Sequence, residues 1–394
     1  MQPDLPPSLP RPDAPSLEQS RRVAEYIGQR IDEAGGSIAF AEFMHHALYA
    51  PGLGYYTAGS TKFGEEGDYV TAPEVSSLFG RVLARQCAEV LEQVEGGAIL
   101  EYGAGSGKLA VDILDTLAHR GCLPSKYLIL EVSPDLRERQ EIYVCEHLPL
   151  YADLVEWVDD VPDKLRGVII ANEVLDSIPV ERFVRRDAGV MQLRVEATGD
   201  GFGFVEAPAP DSLRRYVAVV EKDLGNNLPD GYTSEVCLAT SPWIGGMSHA
   251  LREGLVFLFD YGVSRREYYA PERADGWLRC HFRHRAHSDP LVLPGIQDLT
   301  AWVDFSSVAV AAVAQGFDIA GYSAQAQFLL AGGLDDEMRD FASLPLEEQV
   351  QLSQQVKTLT LPGEMGERFK CIALRKGHIT KPTAFDLADR THTL

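Results

Sequence analysis

The chain has 394 residues, with 36 lysines and arginines against 58 aspartates and glutamates, which gives a net charge of −22. So large a negative charge argues against nonspecific binding to nucleic acid or to an anionic membrane, because both are polyanions. Hydrophobic residues make up 45% and charged residues 24% of the chain, as in ordinary globular proteins with room for one large α/β domain and a smaller unit.

The cysteines and the start of the chain indicate an intracellular protein. The six cysteines include no Cys-x-x-Cys pair, which favours reduced thiols over a zinc site or a disulfide framework. The first residues are rich in proline and lack the charged start and apolar stretch of a signal peptide. No run of eighteen apolar residues is free of charge, so we expect no membrane span and a cytoplasmic location.

The first hundred residues predict helices around a long loop. After the proline-rich segment, apolar spacing predicts a helix over 17–34 and another from Ser37 to about residue 50. Residues 51–74 are rich in glycine and aromatic residues and are too long for a plain connection, so a functional loop and an ordinary surface loop are both open. Thr71 to Glu74 has the pattern of a capping box before the next helix.

A glycine-rich segment at residues 98–107 is the strongest local signal. An apolar run predicts a buried strand, Gly103, Gly105 and Gly107 predict a tight turn, and an amphipathic helix follows from Lys108. The turn allows close backbone approach to a ligand, although strand–helix packing alone could also require it. The dinucleotide fingerprint needs a third glycine where Lys108 stands, and Glu101 suits a cationic cofactor, so the motif favours S-adenosylmethionine (SAM) over NAD.

Downstream strands and helices alternate, which predicts a parallel, doubly wound sheet. Strands are expected at 127–132, 148–151, 167–173, 254–262, 322–330 and 369–374, and a helix at about 298–315. Short alternating runs between 180 and 250 predict antiparallel strands instead. The predicted division is a flexible tail (1–16), a helical and loop region (17–97), the core (98–180 and 251–377), an inserted unit (181–250) and a tail (378–394).

Acidic residues at predicted strand ends are candidates for cofactor binding, because ligands of such sheets lie beyond the carboxyl ends of the strands. Glu131 ends the second strand, where a carboxylate can accept both ribose hydroxyls. Asp153 follows the predicted third strand and could accept a hydrogen bond from an adenine amino group. Each could also be an ordinary strand-end acid.

The predicted fourth strand ends at Asn172 and Glu173, which places both at the same edge of the sheet, and Asp176 follows three residues later. Carboxylates suit methyl transfer to a guanidinium, since they hold it by two parallel hydrogen bonds and localise its charge away from the reacting nitrogen. We predict Glu173 as catalytic, with Asn172 and with Asp176 or Glu181, although Asp176 could instead cap the following helix. His281, His284 and His287 recur three apart, but no other ligands accompany them, so no metal is predicted.

Taken together, these motifs resemble the class I SAM-dependent methyltransferase family that includes the mitochondrial complex I assembly methyltransferase. The resemblance runs from about residue 20 to 376 and rests on 51–56 (Pro-Gly-x-Gly-Tyr-Tyr), 63–64, 67–74, 101–107, 172–176 and 365–370. It implies a seven-stranded Rossmann-like SAM fold, with Gly103, Gly105 and Gly107 as cofactor glycines and Asp68 and Thr71 in a loop near the methyl group.

From its mitochondrial member the resemblance also implies dimethylation of a protein arginine. We therefore expect a SAM-dependent methyltransferase whose acidic surface attracts a basic protein substrate. Three alternatives stay open at this point: another nitrogen acceptor, on a small molecule or a protein; a SAM-binding assembly factor without turnover; and an NAD enzyme. The sequence leaves the oligomeric state open, with a homodimer as one option.

Overall fold

The computed structural model describes residues 9–58, 71–199 and 201–394. Its helices in these ranges are α1 (Ala14–Glu33), α2 (Phe40–Tyr49), α3 (Ala72–Val75), α4 (Ser77–Leu91), α5 (Lys108–His119), α6 (Pro134–His147), α7 (Asp211–Leu224), α8 (Thr240–Ala250), α9 (Arg265–Tyr268), α10 (Phe305–Ala314), α11 (Gln325–Ala331), α12 (Leu334–Glu337), α13 (Leu346–Thr360) and α14 (Met365–Arg368).

The strands in the same ranges are β1 (Ser37–Ala39), β2 (Ala98–Tyr102), β3 (Tyr127–Leu130), β4 (Val155–Val158), β5 (Leu165–Asn172), β6 (Glu181–Arg186), β7 (Gly189–Thr198), β8 (Gly201–Pro208), β9 (Thr233–Val236), β10 (Leu251–Val263), β11 (Leu278–Phe282), β12 (Arg285–His287), β13 (Asp298–Ala301), β14 (Val303–Asp304), β15 (Asp318–Ala324) and β16 (Phe369–Lys376). None of the described helices is long and apolar enough to cross a membrane.

The chain divides into two compact units. One contains the described residues among 1–69, 176–240 and 264–302, and the other contains those among 70–175, 241–263 and 303–394. The second unit is built on a large sheet of strand order β15-β16-β10-β5-β2-β3-β4, with the short β14 paired to β10. This confirms the predicted α/β fold with a doubly wound, seven-stranded sheet, to which β14 adds an eighth strand.

The sheet is parallel from β10 to β4, and β16 runs antiparallel to both of its neighbours. Its central strands are apolar without alternation, as in Val168, Ile169 and Ile170 of β5, which are fully buried because helices cover both faces. From β2 the chain runs outward to β3 and β4 and then returns to β5 on the other side of β2. Strand order therefore reverses between β2 and β5, the position at which such sheets bind ligands.

The first unit is antiparallel. One sheet has the order β1-β7-β6-β9, with β8 paired to β7, and a smaller sheet has the order β12-β11-β13. Helices α1 and α2 supply its core through Val23, Ile27, Phe40 and Phe43. The antiparallel character expected for the segment after residue 180 is thus observed.

Several predicted elements differ from the structure. Ser37–Ala39 is a strand paired to β7 and not the start of a helix. The expected helix over 298–315 begins only at Phe305, because Asp298–Ala301 pairs with β11. The predicted capping box at Thr71 is wrong: Thr71 makes no side-chain cap, and Ser76 caps α4. At the other end of the chain, residues 378–394 do not form a detached tail, because Phe385 is fully buried in the core of the second unit.

Candidate active site

The glycine turn, residues 103–107, follows β2 at the point where strand order reverses. Gly103, Gly105 and Gly107 have φ values of 62°, 57° and 86°, in the left-handed region that side chains disfavour. Gly107 then precedes α5, whose first backbone N–H groups have no partner within the helix. The turn thus offers an anion- or dipole-binding backbone that only glycine forms without strain.

Two neighbouring segments lie within van der Waals distance of the turn. A Cβ atom at Gly103 would lie 3.5 Å from Val174 Cγ2, and one at Gly107 would lie 3.5 Å from Gln140 Cα. The loop after β5 and helix α6 therefore border the turn on two sides.

Glu131 lies directly after β3, as the sequence predicts, and is 8% exposed. Its Oε1 accepts a hydrogen bond from the Ser133 backbone N–H at 2.9 Å, and its Oε2 accepts one from Gln140 Nε2 at 3.0 Å. The same amide nitrogen donates to the Gly105 carbonyl at 2.9 Å. The carboxylate is therefore fixed beside the glycine turn through one side chain.

Glu101, the acid before the first glycine, is 2% exposed in the interior of the sheet. The Tyr127 hydroxyl donates a 2.7 Å hydrogen bond to its Oε2. Burial raises the pKa of the Glu101 carboxyl to about 7, and the charge of Glu131 adds to that shift while the Tyr127 hydrogen bond opposes it. Near neutral pH this group is thus divided between its charged and neutral forms, so its expected attraction for a cationic ligand depends on pH.

Glu173 follows β5 with a φ of 54°, which is unusual for a residue with a side chain. Its backbone N–H donates to the Phe259 carbonyl of β10 at 2.8 Å. Its Oε1 accepts hydrogen bonds from the Ala72 N–H and from Asn172 Nδ2, both at 3.3 Å. Left-handed backbone of this kind costs of order 1–3 kcal/mol and concentrates at functional sites.

Asn172 and Glu173 are thus brought together next to the glycine turn. Asn172 Oδ1 is buried and has no hydrogen-bond partner within the described part of the chain. An unsatisfied buried acceptor at such a position is costly unless a ligand or water supplies a donor.

The short helix α3 connects Glu173 to the glycine turn. Its Ala72 N–H reaches Glu173, and its Glu74 carboxylate accepts a hydrogen bond from the Ser106 hydroxyl inside the glycine turn. Glu74 and Gln140 are site residues that the sequence analysis missed. The signal for Gln140 was a polar residue in the buried stripe of α6, between Leu136 and Val144 at intervals of four.

Other predicted site residues lie elsewhere. The predicted position of Asp153 is wrong. The strand expected at 148–151 does not form, and Asp153 lies in a short 3₁₀ helix before β4, at the opposite end of the parallel strands from the glycine turn. Asp176 belongs to the other compact unit, where its backbone carbonyl accepts from the Ala301 N–H. Thr71 precedes α3, and Asp68 lies outside the described residues.

The histidines at 281, 284 and 287 lie on the β11–β12 hairpin. His284 occupies its two-residue turn with Arg283, both with left-handed backbone. No group of three or more His, Cys, Asp or Glu among residues 9–58, 71–199 and 201–394 is arranged to hold a metal ion.

Comparison with known proteins identifies the family of the chain. Residues 82–323 match the family described as "Putative S-adenosyl-L-methionine-dependent methyltransferase". The chain belongs to this family. A human relative named "Protein arginine methyltransferase NDUFAF7, mitochondrial" is 30% identical over 86% of this chain and 80% of its own length, and the zebrafish protein of that name is 29% identical over 89% and 86%.

A solved structure is similar over almost the entire chain. The Burkholderia thailandensis protein crystallised with S-adenosyl-homocysteine (SAH) is 38% identical, with a TM-score of 0.92 over 98% of this chain and 100% of that chain. The chain is thus a SAM-dependent methyltransferase, and the glycine turn with Glu131 fits that cofactor, since a left-handed backbone that side chains disfavour lies beside a carboxylate, a group that can accept hydrogen bonds from hydroxyls. The predicted cytoplasmic location is contradicted, because the curated relatives are named as mitochondrial proteins.

Proposed function

We propose that this methyltransferase acts on the guanidinium of a protein arginine. Two facts support the proposal. The curated relatives are named as protein arginine methyltransferases, and the second unit holds a carboxylate, Glu173, in strained backbone next to the glycine turn. The position of Glu173 is the observation that carries the proposal.

When bound, SAM supplies an electrophilic methyl group on a sulfonium. The task of the protein is to align a nitrogen lone pair with that methyl group and to keep the lone pair available. A carboxylate does both for a guanidinium, because two parallel hydrogen bonds fix the plane of the group and draw its positive charge toward the bound N–H groups. We assign this role to Glu173, whose rotamer is fixed by the Ala72 and Asn172 hydrogen bonds to Oε1.

We further propose the glycine turn and Glu131 as the cofactor-binding residues. The buried Asn172 oxygen is suited to accept a hydrogen bond from a donor that enters with either ligand. The catalytic role of Asp176 and the cofactor contacts of Asp68 and Thr71 stay predictions.

The test is methyl transfer from labelled SAM by the purified protein to a mixture of proteins and small metabolites, with mass spectrometry to locate the label. We expect label on protein arginine. Label confined to metabolites or to other residue types would contradict the arginine proposal, and tight SAM binding without any transfer would favour an assembly factor.

The variant Glu173→Gln tests the assigned residue. We expect it to lower kcat by about 100-fold or more, because the neutral amide does not localise the guanidinium charge, and to leave the Kd for SAH within about threefold. The control is Glu253→Gln, which removes a carboxylate paired with Arg166 at the amino end of β10 and should leave kcat unchanged. Equal kcat values for the two variants would exclude Glu173 from catalysis.

A further inference from the structure

Gln140 is a fully buried polar side chain that the proposed chemistry does not use. It lies on α6, where its buried neighbours Leu136 and Val144 face the same side of the helix. A glutamine in an apolar stripe loses hydration, and it is tolerated only when its amide finds hydrogen-bond partners.

The amide of Gln140 has three partners, and they fix its orientation. Nε2 donates to the Gly105 carbonyl at 2.9 Å and to Glu131 Oε2 at 3.0 Å, while Oε1 accepts from Trp157 Nε1 at 2.8 Å. An indole N–H can only donate, whereas a carbonyl and a carboxylate oxygen can only accept. The reversed amide would therefore lose all three hydrogen bonds, so only one orientation is compatible with this site.

We propose that Gln140 is a positioning residue for SAM binding: its side chain holds the Glu131 carboxylate at a fixed position relative to the glycine turn. One amide group joins the two parts of the chain that the cofactor must contact together, the turn at Gly105 and the acid after β3. The Ser133 N–H holds the other carboxylate oxygen, so the orientation of Glu131 is determined before any ligand binds. Such preorganisation lowers the free energy that binding spends on ordering side chains.

The proposal also explains the role of Trp157. Its N–H satisfies the Gln140 oxygen and thereby directs both amide hydrogens toward Gly105 and Glu131. Without the amide, the Gly105 carbonyl and the Glu131 carboxylate would be two acceptors with no donor between them. This inference rests on the proposed cofactor-binding role of the glycine turn and Glu131, and it does not depend on which group accepts the methyl group.

The variant Gln140→Glu tests it, because the two side chains have nearly the same shape and differ in that the amide donor becomes an acceptor. We expect the Kd for SAH, measured by isothermal titration calorimetry, to rise about 10- to 100-fold, as for the loss of hydrogen bonds to a charged group. The KM for SAM should rise in parallel, while kcat at saturating SAM and the KM for the methyl acceptor stay within about twofold of the wild-type values.

Two further variants separate positioning from folding. Gln86→Glu makes the same change at a buried glutamine of α4, whose side chain bonds Glu89, Thr383 and the Ala384 N–H, so it should lower the Tm and leave the Kd for SAH within about twofold. Trp157→Phe removes the indole N–H that orients Gln140 together with part of the ring, and we expect a smaller rise in Kd, about three- to tenfold. Trp277→Phe is its control, since that indole N–H bonds Tyr268 in the other unit.

Wild-type SAH affinity in both Gln140→Glu and Trp157→Phe would overturn the proposal, as would a change confined to the KM for the acceptor. If Gln140→Glu does not fold, the result for Trp157→Phe decides alone. A failure to find arginine methylation would leave these binding measurements unaffected, so the two proposals can fail separately.

Discussion

At the scale of single residues, Glu101 links the pH of the solution to the stability of the sheet. Its pKa is raised to about 7 by burial, against an ordinary value of 4.5. Between these two pH values the folded protein keeps the proton that the unfolded chain has released, so the free energy of unfolding falls as pH rises through this window and levels off above about 7.

We therefore expect Glu101→Gln, which is neutral at every pH, to gain stability relative to the wild type as pH rises from 5 to 8. The full difference is on the order of 3 kcal/mol, because each tenfold change in proton affinity corresponds to about 1.36 kcal/mol. Urea unfolding of the protein without cofactor at several pH values measures it. The exposed Glu146→Gln should give the wild-type pH profile, and parallel profiles for Glu101→Gln and the wild type would contradict the prediction.

At the scale of elements, the amino ends of the central strands depend on a close backbone approach. Gly167 of β5 has a φ of 129°, and a Cβ there would lie 2.1 Å from the Ala98 carbonyl oxygen of β2, its partner in the sheet. No side chain fits, because the conflict is with backbone atoms of a neighbouring strand.

Gly167→Ala should accordingly lower the free energy of unfolding by about 3 kcal/mol or more, from left-handed strain together with overpacking. Gly189→Ala isolates the first contribution, because Gly189 has a φ of 134° with no atom within 4 Å of an added Cβ, and it should cost about 1–3 kcal/mol. Chemical denaturation compares the two. Equal losses would show that the contact with Ala98 relaxes without cost.

The elements also show what sequence can predict. Continuous apolar runs such as Val168 to Ile170 identify central strands, because both faces of the sheet are covered. The edge strand β4 has no such run, because it is partly exposed. The apolar residue Leu150, on which the predicted strand at 148–151 depends, is 86% exposed and lies before β4. The prediction therefore places the strand too early in the chain and puts Asp153 after it instead of before it.

The candidate site was predictable to a similar extent. The glycine turn, Glu131 and Glu173 follow from local patterns of strand end and turn. Glu74 and Gln140 act through contacts with Ser106 and Gly105 that lie 32 and 35 residues away in the chain. Local sequence preferences do not predict such contacts, because they form only when α3 and α6 pack against the turn.

At the scale of the whole molecule, the net charge of −22 bears on the choice of substrate. A protein of this charge attracts cationic substrates over distances comparable to the Debye length, about 10 Å at 0.1 M salt and 3 Å at 1 M. If the acceptor is an arginine in a basic segment, its association should therefore depend on ionic strength, whereas the hydrogen bonds that hold the guanidinium should be affected much less.

We expect the KM for an arginine peptide with flanking lysines to rise by about threefold or more between 50 mM and 500 mM salt, with kcat unchanged. The matched control is the same peptide with glutamine in place of each flanking lysine, which keeps the reacting arginine and loses the long-range attraction. Its KM should be higher at low salt and nearly constant across the range. If both peptides show the same salt dependence, the acidic surface acts on solubility alone, and recognition of the acceptor resides entirely in short-range contacts.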